Sequence, residues 1–326
     1  MKNIYLPLSI ILFFTMLLFP ITSIKKEEAA ESKTVEANVS AEGKESSDYF
    51  NVLFTESGNI ERINSHDYVF GVVAAEIPAT YETEAIKAQA VAAYTYAVFK
   101  KNEAKITNRE YDLSDSGENS QCYITKEQAA EKWGEKAKEN EEKLLSAIKS
   151  VLGQTIIYDG EPILAVYHAV SSGKTENASD IWGGNYPYLK SVDSVNDLLN
   201  PDYLSTVSLP TAELTNALNK ANITVSGEAA SWFGEAVRTS NGAIKQINIC
   251  GNAISGDSLR QALGLRSNNF EISLEGDTFT FTVKGYGHGV GMSQYGANRM
   301  ALQGSSYTEI LSAYYTGCKL GKITEK

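Results

Sequence analysis

The sequence is short of cysteine, of proline and of net positive charge, and each shortage closes off a class of protein. Three cysteines, Cys122, Cys250 and Cys318, are scattered over 326 residues with no CxxC pair and no histidine at ligand spacing beside them. Neither a disulfide framework nor a cysteine-based metal site is therefore encoded; one bridge could form and none is required. Lysine and arginine number 29 against 40 aspartates and glutamates, a formal charge of -11, which argues against a phosphate-binding surface and so against nucleic acid as a partner. With only 7 prolines and 43% hydrophobic residues, the composition is that of a globular chain that can bury a sizeable core. No internal repeat is visible.

One long apolar run is present, from Ile4 to Thr22, and it is long enough to cross a bilayer. Lys2 precedes it, and no small-x-small cleavage site follows Phe19 and Pro20. Residues 1–24 are therefore expected to stay on the chain as a transmembrane signal-anchor. Residues 25–48, rich in Glu, Ser, Ala and Lys, have the composition of a solvated tether, and the folded domain is expected over 49–320.

Within that domain, Asn51 to Phe54 reads as a strand entering the turn Glu56-Ser57-Gly58-Asn59. Ser65 or Asp67 can cap a short helix that Pro78 must end at about Ile77, because the residue before proline avoids helical geometry. A second helix, from Thr83 to about Lys100, carries Ile86, Ala90, Ala93 and Ala97 at helical spacing. Residues 102–151 read as an irregular polar stretch followed by charged helices, together an inserted helical arm. Asp159-Gly160 marks a hairpin between two strand-like segments, Gln154 to Tyr158 and Ile163 to His168. A helix is expected around Thr211 to Asn222 and strands over Ile244 to Ile249 and Phe279 to Val283. Ser258 to Leu263 reads as a helix closed by Gly264, and two last helices are expected from Ala297 and from Thr308. Helices and strands mix without regular alternation, so the expected fold class is α+β, with one mixed core plus the arm.

Three places could carry chemistry. Glu76 closes the first helix among Val72, Val73, Ala75 and Ile77, where the negative end of the helix dipole and apolar burial would raise its pKa as a general acid requires. The dipole supplies less than one pKa unit, and a solvated glutamate ending a helix would look the same in sequence. The segment YGHGVGMSQYG sets Gly285, Gly287, Gly289, Gly291 and Gly296 among Tyr286, His288, Gln294 and Tyr295, a floor on which backbone could approach a ligand; the alternative is a glycine-rich turn. It is not a nucleophile elbow, since GxSxG would need glycine at Tyr295. Residues 167–175, Tyr167-His168-Ala169-Val170-Ser171-Ser172-Gly173-Lys174-Thr175, imitate a phosphate loop but have His168 where its first glycine belongs. His168 with a nearby serine could form a nucleophile and base pair, or it could be a hydrogen-bonded core histidine.

Four segments in this order, 71–97, 167–194, 254–272 and 285–301, resemble the family of stage II sporulation protein D. The resemblance covers roughly Ile60 to Gly317. It implies lytic transglycosylase activity, which cleaves the bond between N-acetylmuramic acid and N-acetylglucosamine without water and leaves a 1,6-anhydro end, with the catalytic glutamate at Glu76. It also implies that Tyr167, Ser171, Ser172, Gly173, His288, Gln294 and Tyr295 line a groove for the glycan strand. Some family members hold zinc in a loop after the first helices, but residues 111–125 offer only Cys122 and no histidine, so no metal and no cofactor are expected. The implied setting is the membrane of the mother cell of an endospore-forming bacterium, with the domain facing outward during engulfment. The implied partners are peptidoglycan, an amidase that strips stem peptides, and a membrane scaffold protein. Two rivals remain at this point: a non-catalytic glycan-binding amidase enhancer, and a hydrolase drawing a second carboxylate from Asp180, Asp193 or Glu82.

Overall fold

The computed structural model describes residues 48–322 except 118 and 119. The expected transmembrane anchor, and all of the expected tether but its last residue, lie outside the described residues. Among the described residues no helix is long and apolar enough to cross a membrane. Asp48 already belongs to the folded body, because Lys101 Nζ donates to its carboxylate at 3.0 Å.

Strands β1 (Tyr49–Leu53) and β2 (Ile60–Asn64) form the expected hairpin. Helix α1 (Ser65–Glu76) follows at once, capped by Asn64, whose side chain accepts from the Asp67 N–H, rather than by Ser65 or Asp67 themselves. Ile77 turns extended before Pro78 and ends the helix at Glu76, as proline dictates. Every residue from Tyr68 to Ala74 is buried, so α1 is a core helix surrounded by protein. Helix α2 (Thr83–Thr107) lies against it, burying Ala85, Ala88, Ala90, Ala92, Ala93 and Ala97. Such small side chains let neighbouring backbones come close.

The inserted arm is not an arm. Strand β3 (Leu113–Ser114) pairs in parallel with β1, and helices α3 (Lys126–Trp133) and α4 (Ala137–Val151) pack on α1 and α2. They contribute Ala129, Leu144, Ala147, Ile148 and Val151 to the same core as α1. Their many charges occupy the solvent side, which is why the stretch looks detachable in sequence. Strands β4 (Thr155–Tyr158) and β5 (Glu161–Pro162) then make the tight hairpin around Asp159 and Gly160, both at positive φ. Strand β6 (Tyr167–His168) and the short helix α5 (Ala178–Ile181) lead out of this first core.

A second core replaces the expected single one. Strand β7 (Leu204–Pro210), helix α6 (Thr211–Lys220), strands β8 (Phe233–Arg238), β9 (Ile244–Ile249) and β10 (Asn252–Ser255), helix α7 (Gly256–Leu263), and strands β11 (Phe270–Glu275) and β12 (Thr278–Lys284) form two three-stranded sheets, ordered β10-β9-β8 and β11-β12-β7. These enclose Leu214, Leu218, Trp232, Ile249, Leu259, Phe270, Phe279 and Phe281. The chain then returns to the first core through β13 (Met292–Ser293), α8 (Gln294–Leu302), α9 (Tyr307–Tyr314) and β14 (Lys319–Gly321). Pairing of β13 with β6 sets Met292 beside Tyr167 and Ser293 beside His168, which joins the two segments singled out in the sequence.

Candidate active site

Where α1 ends, a cleft of about 900 Å³ opens between α1, α2, the 117–122 loop, β6, α5, α7 and the glycine-rich segment. Glu76, Tyr167, His288 and Gln294 all line it. Ser171, Ser172, Gly173 and Tyr295 lie outside its lining. Ser171 is buried, with its N–H donating to Asp197 Oδ2 at 2.8 Å and its hydroxyl accepting from the Gly173 N–H at 3.1 Å. Gly173 and Ser172 continue that loop, and the Tyr295 hydroxyl donates to the Leu199 carbonyl at 3.2 Å.

Glu76 is half-buried. The Cys122 N–H donates to its Oε1 at 2.8 Å, and the Cys122 thiol and the Gln294 side chain also bond to the carboxyl. Burial raises the pKa of Glu76, and these donors, together with the nearby Lys132 ammonium, pull against that rise. Lys132 Nζ donates to the carbonyls of Ala74 at 2.8 Å and Ala75 at 3.3 Å, placing a cation on the last turn of α1. The Cys122 thiol, pushed up to about 11 by burial and by Glu76, stays protonated and serves as a donor. The result is a carboxyl group, held by directed hydrogen bonds, whose pKa burial lifts above the ordinary carboxylate value and which lines the cleft.

Among the lining residues the other carboxylate is Glu103, which is tied to Lys100 and lies 3.8 Å from Arg109. Asp180, Asp193 and Glu82 do not line the cleft. Asp180 and Asp193 are instead paired with Lys245 at 3.0 Å and Lys174 at 2.9 Å. Tyr167 donates to Gln121 Oε1 at 2.7 Å, and Gln121 in turn donates to the buried Tyr68 hydroxyl at 3.2 Å, so the cleft wall is braced from the core.

Of the two cleft histidines, His168 is buried and His288 half-buried, and both have lowered pKa values. His168 Nδ1 donates to the Val290 carbonyl at 3.1 Å, and burial lowers its pKa. His288 Nδ1 accepts from the Val290 N–H at 3.1 Å, and its pKa is driven down to about 3 by burial, with His168 and Arg260 adding to the effect. His168 is thus the hydrogen-bonded core histidine. No serine bonds to its ring: its Nδ1 is taken by Val290 and its buried Nε2 has no partner.

The alternate glycines are required by the protein's own packing, and Gly287 among them also lines the cleft. A Cβ on Gly291 would sit 2.1 Å from the Val166 carbonyl oxygen, and one on Gly287 would sit 2.7 Å from His168 Cβ. One on Gly296 would meet the Tyr314 hydroxyl at 2.1 Å. Glycine lets the 285–296 segment lie flush against 166–171, and that contact brings His288 and Gln294 into the cleft beside Tyr167. Among the described residues no three His, Cys, Asp or Glu side chains converge to hold a metal ion, and the three cysteines are free.

Four further residues line the cleft, Tyr96, Gln121, Trp182 and Arg260, of which Tyr96, Gln121 and Arg260 carry no mark of their own in sequence. Trp182 had a signal, an aromatic residue ahead of Gly183 and Gly184 in a polar loop. Arg260 reaches the cleft from the second core, whose existence the sequence conceals.

The family profile described as stage II sporulation protein matches residues 55–158. The chain is 38% identical over 274 residues to stage II sporulation protein D of Bacillus amyloliquefaciens, covering 83% of this chain and 78% of the relative. It is 36% identical over 273 residues to stage II sporulation protein D of Bacillus subtilis, with coverage of 83% and 78%. To the amidase enhancer of Bacillus subtilis it is 26% identical over 301 residues, covering 77% of this chain and 40% of the relative.

Proposed function

Since the chain belongs to the stage II sporulation protein D family, we propose that it is a lytic transglycosylase that cuts peptidoglycan glycan strands during sporulation, with Glu76 as the acid and then the base. The observation that carries this reading is the pairing of a cleft with a carboxyl group that burial keeps disposed to hold its proton. In the reaction, Glu76 gives its proton to the glycosidic oxygen as the bond from that oxygen to the muramic acid anomeric carbon breaks. The hydroxyl on the same sugar's sixth carbon bonds to the anomeric carbon, and its proton passes to the Glu76 carboxylate. Atoms balance without water, and Glu76 ends as it began.

One carboxyl suffices for this sequence, whereas an ordinary glycosidase needs two flanking the bond. That agrees with a lining in which the second carboxylate, Glu103, is occupied by Lys100. Tyr167, Gln294 and His288 position the strand in the cleft, with Ser171, Ser172 and Gly173 fixing the loop behind them. The proposed setting is the outward face of the mother cell membrane, with a peptide-stripping amidase and a membrane scaffold as partners.

The test is to incubate isolated glycan strands with the wild-type chain and with Glu76→Gln. Cutting is expected from the first and lost in the second, with strand binding kept by both. Binding without cutting by the wild-type chain would favour the amidase-enhancer reading, which the 26% identity to that protein keeps in view.

A further inference from the structure

Resting on the reading of the cleft as a glycan groove, we propose that Trp182 and Tyr286 form a stacking subsite that grips one pyranose ring of the strand through its apolar C–H face. Among the large hydrophobic side chains that the described residues leave exposed, Trp182 and Tyr286 are the two aromatic ones, each 44% exposed. Both line the cleft, while the exposed aliphatic side chains lie elsewhere.

Both rings are held in place. Trp182 follows α5, its N–H donating to the Ala178 carbonyl at 2.8 Å, and its indole lies 4.8 Å from the His288 ring at 57°. His288 is itself pinned by the Val290 N–H. Tyr286 exchanges backbone hydrogen bonds with Val170 at 2.7 and 3.0 Å, and the Arg266 guanidinium stands over its ring at 5.3 Å. Large aromatic faces kept rigid and wet at the rim of a polar cleft suit a ligand that is itself amphipathic. A pyranose ring is such a ligand: its C–H face meets the negative face of the ring system, and its hydroxyl edge is left for polar neighbours such as Arg260. The net charge of -11 speaks against a polyanion in the same place.

The probe is chitotriose, an uncharged trimer of N-acetylglucosamine, titrated into the Glu76→Gln chain so that cutting stays out of the measurement. Of the three tryptophans, Trp232 is buried and Trp133 packs on Phe70, so Trp182 should dominate any response. A saturable change in indole fluorescence is expected. In Trp182→Ala that signal should vanish, and calorimetry should show about tenfold weaker binding. Trp182→Phe should restore most of the affinity, and both variants should melt with their parent because the site is exposed. Equal affinity in Trp182→Ala and its parent would overturn the subsite, as would the absence of saturable chitotriose binding by the parent. A wild-type chain that binds chitotriose through Trp182 but cuts no glycan would leave the subsite standing and remove the proposed reaction.

Discussion

Replacing Gly71 with alanine should damage the site without touching it. Gly71 lies inside α1, where the usual expectation is a gain of about 0.5–1 kcal/mol for alanine over glycine. Here a Cβ would stand 2.3 Å from Tyr123 Cε2 and 2.5 Å from the Ile124 carbonyl oxygen. The Tyr123 ring cannot swing aside freely, being stacked on Tyr68 at 5.7 Å and edge-on to Phe54 at 6.0 Å. The 122–124 segment must therefore back away from α1. An overpacked core site costs about 1–3 kcal/mol, or more where backbone blocks relief, so the balance is a net loss of about 1–2 kcal/mol. For a domain of this size that lowers the melting temperature by about 2–8 °C. The same displacement pulls the Cys122 N–H from Glu76. A hydrogen bond to a charged or partly charged group is worth about 1.5–3 kcal/mol, so turnover of glycan strands should fall by about tenfold to a hundredfold. Calorimetric melting and a strand-cleavage assay on the same preparation check both. A variant that melts at or above the parent and turns over at the parent's rate would refute the reasoning.

Lys132→Met removes the cation that opposes the raised pKa of Glu76. The loss of activity on going alkaline, as Glu76 deprotonates, should then move to higher pH, while Lys132→Arg keeps the parent's profile; unchanged profiles in both would mean that Lys132 only caps α1. Glu176 is buried at 3% exposure, its Oε2 has no partner, and burial raises its pKa from the ordinary value of 4.5. A carboxyl with a raised native pKa adds stability that is complete below its unfolded pKa and is lost as pH climbs through the native one. Melting temperatures should accordingly fall across that window in the parent and much less in Glu176→Gln, and parallel curves would count against the assignment.

Much of the first core is legible locally. Pro78 ends α1 at Glu76 and Asp159-Gly160 turns β4 into β5, and in the second core Gly264 likewise closes α7 at φ 61°, because each depends on the backbone preferences of one or two residues. In the second core α6, β9, α7 and β12 are legible in the same way, but β7 and β8 escape it. Strand β7 alternates exposed and half-buried residues with none fully buried, and β8 is much the same, so neither carries the apolar run that marks a strand. Their burial comes from partners far along the chain, Thr278 to Lys284 for β7. The site divides the same way. Glu76 and His288 can be picked out because their types and neighbours are unusual, whereas Gln121 and Arg260 reach the cleft only through long-range packing. The glycines of 285–296 stand out in sequence, and the structure adds a packing reason for them, the close approach of the 166–176 segment.

The most direct measurement is to digest isolated glycan strands in water enriched in heavy oxygen and weigh the new ends by mass spectrometry, with wild-type chain and Glu76→Gln side by side. Ring closure by the sugar's own hydroxyl predicts wild-type ends lighter than a reducing sugar by one water and free of label, with none formed by Glu76→Gln. Labelled reducing ends, or ends formed equally well by Glu76→Gln, would contradict it.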